Sequence, residues 1–155
     1  MPRSRQMIVC VHEMGHAVMA SHFGWDVLEV AVIDHDGRWE GFTEVRTVGG
    51  LARREYARQS CHFALAGPMA QILYTGSRRY SERRLVNVMM SSILGDGSDW
   101  RNYQQYRDPA GYNEDDRLVL AEFIGERMPQ IVDYAEVLRR QDDGVLDEIE
   151  LAELW

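Results

Sequence analysis

The chain changes its hydrophobic period twice, and those changes mark out its elements. Residues 5–23 are an apolar run of helical length built from good helix formers, and Gly24 supplies a stop. Residues 27–33 (VLEVAVI) and 39–46 (WEGFTEVR) instead alternate and are rich in β-branched and aromatic side chains, with Asp36-Gly37 as turn chemistry between them. A helix followed by a β-hairpin is expected. From Leu51 onward the period returns to that of a helix, predicting segments at 51–66, 68–74, 81–94, 98–106, 113–128, 129–141 and 145–154. Gly67-Pro68, Gly95-Asp96-Gly97, Asp108-Pro109 and Gly144 punctuate them. The expected class is α+β, mostly helical, with a small hairpin or sheet after the first helix. No repeat, low-complexity tract or linker divides the chain, so 1–155 is expected to form one domain.

Composition narrows the function classes. The formal charge is −8, and the acidic excess is densest after Gln141, where Asp142, Asp143, Asp147, Glu148, Glu150 and Glu153 meet no basic residue. That balance argues against nucleic acid as the main partner. All 17 basic residues are arginine, for which codon bias in a GC-rich genome is the economical reading. No apolar run reaches the ~18 residues of a membrane span, and the apolar stretch after the basic start meets His12 and Glu13 too early for a signal-peptide core. Cys10 and Cys61 lie in apolar surroundings and read as free buried thiols. A soluble cytoplasmic protein is expected.

The first helix carries the candidate chemistry. In VCVHEMGHAVM, His12 and His16 are four apart, which on a helix places them ~40° apart around the axis and ~6 Å along it, so both imidazoles can reach one metal ion. Glu13 is offset by ~100° and is placed to hold a water rather than the metal. This is the His-Glu-x-x-His arrangement of zinc peptidases, in which zinc polarises the scissile carbonyl and the glutamate acts as general base. A catalytic zinc site takes a third protein ligand and leaves the fourth position open. His22, Glu55 and Asp99 are the candidates; in a continuing helix His22 would lie ~9 Å beyond His16, out of reach of the same ion. His35, in the hairpin turn, reads as solvated, and His62 as a hydrogen-bonded core histidine.

Beyond the motif, HEMGHAVM, VAVIDHDGRWEGFTEV, LARREYARQSCHFALAGPMAQILYTG and GDGSDW occur in the order found in the peptidase domain of FtsH-type zinc proteases, which the chain resembles over nearly its whole length. The resemblance implies His12, His16 and Asp99 as ligands of Zn2+ and Glu13 as general base. It implies a metalloendopeptidase acting on flexible or unfolded polypeptides, with the hairpin's edge strand, Gly41 to Val45 or alternatively Val30 to Ile33, pairing with extended substrate. Gln71 stands where the family often has glutamate. Only 11 residues precede His12, so neither membrane anchor nor ATPase module is expected. A homo-oligomer, an ATPase partner in trans, and a catalytically silent zinc-bound interaction module remain open alternatives.

Overall fold

A computed structural model describes residues 3–76, 81–93 and 97–155; the expected Gly95-Asp96 turn lies outside them. Nine elements follow in order: α1 (Arg5–His22), β1 (Asp26–His35), β2 (Arg38–Arg46), α2 (Arg53–Thr75), α3 (Glu82–Ile93), α4 (Ser98–Ala110), α5 (Glu114–Arg139), β3 (Val145–Asp147) and α6 (Glu148–Ala152). The α+β, mostly helical class expected from the sequence is what the chain adopts.

Helix α1 begins where the Ser4 side chain accepts the Met7 amide at 3.1 Å and ends before Gly24 at φ +75°. It is apolar on nearly every side because it is surrounded: α2 and α5 pack against it, as do β1 and β2. Cys10, Val11, Met14, Ala17 and Ala20 have no solvent exposure. The α1–α2 approach is unusually close. A Cβ on Gly15 would stand 2.7 Å from both the Ala66 carbonyl oxygen and the Ala70 Cβ, so only glycine lets the two backbones meet there.

The hairpin turns at Asp36 (φ +52°) and Gly37 (φ +82°), the paired positive φ values of a type I′ turn, and the Asp34 carboxylate accepts the Gly37 amide at 2.9 Å. Strands β1 and β2 pair antiparallel with Val30 opposite Thr43 and Val32 opposite Gly41. The sheet has three strands, not two. Residues 145–154, expected as one helix, begin as β3, which pairs antiparallel with β1 so that the order is β2-β1-β3. Gly144 makes this join: its carbonyl accepts the Val32 amide at 2.8 Å, and a Cβ there would lie 2.2 Å from the Val32 oxygen. Asp147 then caps α6 reciprocally with Glu150, so the helix starts three residues later than the apolar pattern implies.

Two expected helix breaks are absent. Helix α2 continues through Pro68 and α5 through Pro129. A proline removes one intrahelical hydrogen bond, ordinarily ~3 kcal/mol. Around Pro68 that cost is outweighed by burial on both sides, since Leu65, Ala66, Met69 and Ala70 are fully enclosed. Helix α4 likewise passes the expected end at 106 and stops at Gly111, whose left-handed conformation lets Tyr112 N–H reach the Arg107 carbonyl at 2.9 Å. Cys10 and Cys61 are free and buried, and burial pushes both thiols up to about 12. No helix among the described residues is long and apolar enough to cross a membrane.

Two glycines give opposite expectations. Gly15→Ala gains helix propensity but forces a Cβ onto backbone, so a net loss of ~1–3 kcal/mol is expected in denaturant unfolding. Gly125→Ala in α5 meets open space and is expected to stabilise by ~0.5–1 kcal/mol. Equal effects of the two changes would refute the close α1–α2 approach.

Candidate metal centre

Two elements bring the candidate groups together. Helix α1 presents His12, Glu13 and His16, and the first turn of α4 delivers Asp99 from 87 residues beyond His12. Asp99 Oδ2 lies 3.0 Å from His12 Nε2, and Oδ1 lies 3.3 Å from His16 Nε2. The two Nε2 atoms are 3.2 Å apart. One ligand atom from each residue can be chosen so that all lie within 4.8 Å of one another, the one such group among the described residues.

The far side of each ring sets the charge at this meeting point. His16 Nδ1 is 2.7 Å from the Phe63 carbonyl, which can only accept, so Nδ1 carries the hydrogen. His12 Nδ1 donates to Gln71 Oε1 at 2.8 Å. Neutral rings so held turn both Nε2 lone pairs toward each other and toward a carboxylate. Three electron-rich atoms in contact require a positive charge between them, supplied by a cation or by protons. The donor set, two imidazoles and one carboxylate with room for a further ligand, suits a divalent transition metal. Without an ion, burial works against charging His16, but the Asp99 carboxylate outweighs it and raises the ring to about 9. Burial alone would raise Asp99, yet His16 and His12 hold it well below the usual carboxylate range. These are one interaction seen from its two ends.

Glycine again permits the geometry. A Cβ on Gly67 would lie 2.3 Å from His16 Nε2 and 2.8 Å from His12 Cδ2, so the backbone of α2 passes directly against both rings. Glu13 is held from the other side by β2. Its Oε2 accepts the Thr43 hydroxyl at 2.7 Å, the same hydroxyl lies 3.1 Å from the Glu13 carbonyl, and a Cβ on Gly41 would meet Glu13 Cγ at 2.6 Å. The Gly-x-Thr stretch therefore makes space for the Glu13 side chain and orients its carboxylate. A cavity of about 440 Å3 opens over the cluster, walled also by Phe42, Ile72 and Asn102.

The other candidates lie elsewhere. His22 ends α1 and packs at a tilt against Phe123, 4.5 Å between ring centroids, and Glu55 is exposed in the first turn of α2 beside Gln59. His35, the last residue of β1, is exposed, and His62 is buried with Nδ1 2.9 Å from the Tyr112 hydroxyl. Sequence reasoning overlooked Gly67 and the Phe63 carbonyl, and it gave Thr43 no role. Gly67 read as punctuation before Pro68, and no local signal marked its place against the rings. No protein-family model matches the chain, and no curated protein sequence matches it significantly.

His62 supplies a test of the core beside this site. Burial, then the nearby Arg58, depresses its pKa from 6.5 to about 4, with Asp116 opposing and His22 adding slightly. Below pH 6.5 the unfolded chain therefore binds a proton that the folded chain refuses. Stability from this group is full above pH 6.5 and falls as pH drops toward 4. Between pH 7 and pH 5 the loss is about 2 kcal/mol, and His62→Gln is expected to remove it in urea unfolding at the two pH values.

Proposed function

We propose that this chain is a zinc-dependent metalloendopeptidase that hydrolyses peptide bonds of flexible or unfolded polypeptides, in the manner of an FtsH-like protease domain. The observation that carries the reading is the convergence of His12 Nε2, His16 Nε2 and the Asp99 carboxylate, with Glu13 one residue along the same helix. The resemblance in motif order supports it. So does the edge position of β2, which borders the cavity with Gly41, Phe42 and Thr43 and pairs with no further strand among the described residues.

Zinc in this site would supply Lewis acidity to the scissile carbonyl and lower the pKa of water toward ~7. Glu13, steadied through Oε2 by Thr43, takes a proton from the attacking water. The water oxygen bonds to the carbonyl carbon, the C–N bond breaks, and Glu13 returns the proton to the leaving amine. An extended peptide lies along β2, its main chain pairing with the strand's free donors and acceptors. Such pairing needs an unfolded substrate, because a folded one has already used those groups. Gln71 and the Phe63 carbonyl keep the two imidazoles in the tautomer that leaves Nε2 free.

Metal analysis should find one zinc per chain, lost in His12→Ala and in Asp99→Ala. Gly67→Ala, which drives a methyl group into both rings, should weaken zinc by at least ~10-fold in competition with a chromophoric chelator. Metal retained undiminished in Asp99→Ala would reject the ligand set.

Glu13→Gln should keep zinc and fold while losing at least ~100-fold in hydrolysis. Wild-type protein should cleave an unfolded casein-type substrate and spare a stably folded one, be indifferent to ATP, and be silenced by chelator. Zinc-loaded protein that cleaves neither substrate would favour an interaction module or an ATPase partner in trans.

A further inference from the structure

A second cavity, of about 160 Å3, opens along the same strand. Val45 and Thr47 wall it from the end of β2 and just beyond, Tyr56 and Ser60 from α2, Tyr106 from α4, and Trp25 from the α1–β1 connection. Phe63 and Asn102 line both cavities, so the two adjoin. Alternate strand residues share a face, and Gly41 and Thr43 at Glu13 are succeeded along β2 by Val45 at the second cavity. At ~3.3 Å per residue, the step from Thr43 to Val45 or Thr47 is about two to four residues of a paired peptide.

The walls define what fits. Trp25 and Tyr56 stack with centroids 6.5 Å apart, Tyr106 meets Tyr56 edge-on at 5.7 Å, and Trp25 lies 5.5 Å from Phe63. None of the lining residues carries a formal charge. Two of the polar groups are already engaged: the Trp25 indole N–H donates to Gln59 at 3.1 Å, and the Ser60 hydroxyl donates to the Tyr56 carbonyl at 2.8 Å. A carboxylate entering this box would lose hydration without gaining a partner of opposite charge, whereas an apolar side chain would gain contact with aromatic rings.

We infer that this second cavity is a side-chain subsite selecting a large apolar residue, such as Leu, Met or Phe, about two to four residues from the cleaved bond. The inference rests on the peptidase reading of the His12–His16–Asp99 cluster. It deepens that reading by naming the substrates: unfolded segments with a bulky apolar residue at a fixed offset from an otherwise unspecified bond.

Two assays separate the two claims. The first measures kcat/KM of zinc-loaded protein on peptides in which each position flanking the cleaved bond is in turn Phe, Leu, Ala or Asp. The second measures binding of the same peptides, fluorescently labelled, to zinc-loaded Glu13→Gln by anisotropy. At one position within that window, Phe and Leu should exceed Ala by about 10-fold or more in both assays, with Asp weakest. Val45→Trp, which fills the cavity, and Tyr106→Ala, which removes one wall, should each collapse the Phe-to-Ala ratio. Cleavage with no preference in the window, or a ratio unchanged in both variants, overturns the subsite. A binding preference that both variants abolish, without cleavage of any peptide, overturns the peptidase reading and leaves the cavity as an apolar side-chain pocket of a peptide-binding cleft, and no preference in either assay overturns the subsite.

Discussion

The structure turns on the mutual exposure of lone pairs at the crossing of α1, α2 and α4. Two imidazoles held by acceptors on their far sides face each other and a carboxylate at 3.0–3.3 Å, at the floor of a cavity lined by all three residues. Such an arrangement is unfavourable unless positive charge enters it. Everything around it fixes that geometry. The Phe63 carbonyl and the Gln71 amide prevent the rings from rotating away, and the fully packed sides of α1 prevent the helix from withdrawing.

Three glycines are the means by which two backbones, those of α2 and β2, come near α1. Gly15 admits α2 at the Ala66–Ala70 turn, Gly67 brings α2 against the rings, and Gly41 lets β2 lie on Glu13. At each point a methyl group would approach neighbouring atoms to 2.3–2.7 Å, well inside van der Waals contact. Close approach has a chemical result as well as a packing one. A backbone carbonyl of α2 can act as the partner of His16, and a hydroxyl of β2 as the partner of Glu13, without any long side chain intervening.

The first helix and the hairpin were legible because period, length and turn chemistry agree there, down to Asp36-Gly37. The prolines at 68 and 129 misled, since a local rule about one lost hydrogen bond cannot register the burial that holds a helix together across it. β3 was missed for a related reason: three residues hold too little pattern to separate strand from helix, and its pairing with Ala31, Val30 and Glu29 is wholly non-local. Within the site, the spacing of His12 and His16 spoke for itself. The nearness of Asp99 did not, because no periodicity connects residues so far apart, and it was anticipated only through the order of motifs. Gly67 became meaningful only once α2 was seen lying across the rings.

The separation of His12 from Asp99 also bears on how the molecule comes into being. An ion shared by these residues would close a loop of 87 residues, and on a chain-entropy view such a tie narrows the unfolded ensemble by on the order of 4 kcal/mol, as a disulfide of the same span does. The helix with both histidines can form early from local contacts, while the carboxylate arrives only when α4 docks. An immature chain therefore offers an incomplete, weakly gripping pair of imidazoles. Assembly of the tertiary fold and tight capture of an ion would be the same event, so a half-folded copy would hold no ion firmly.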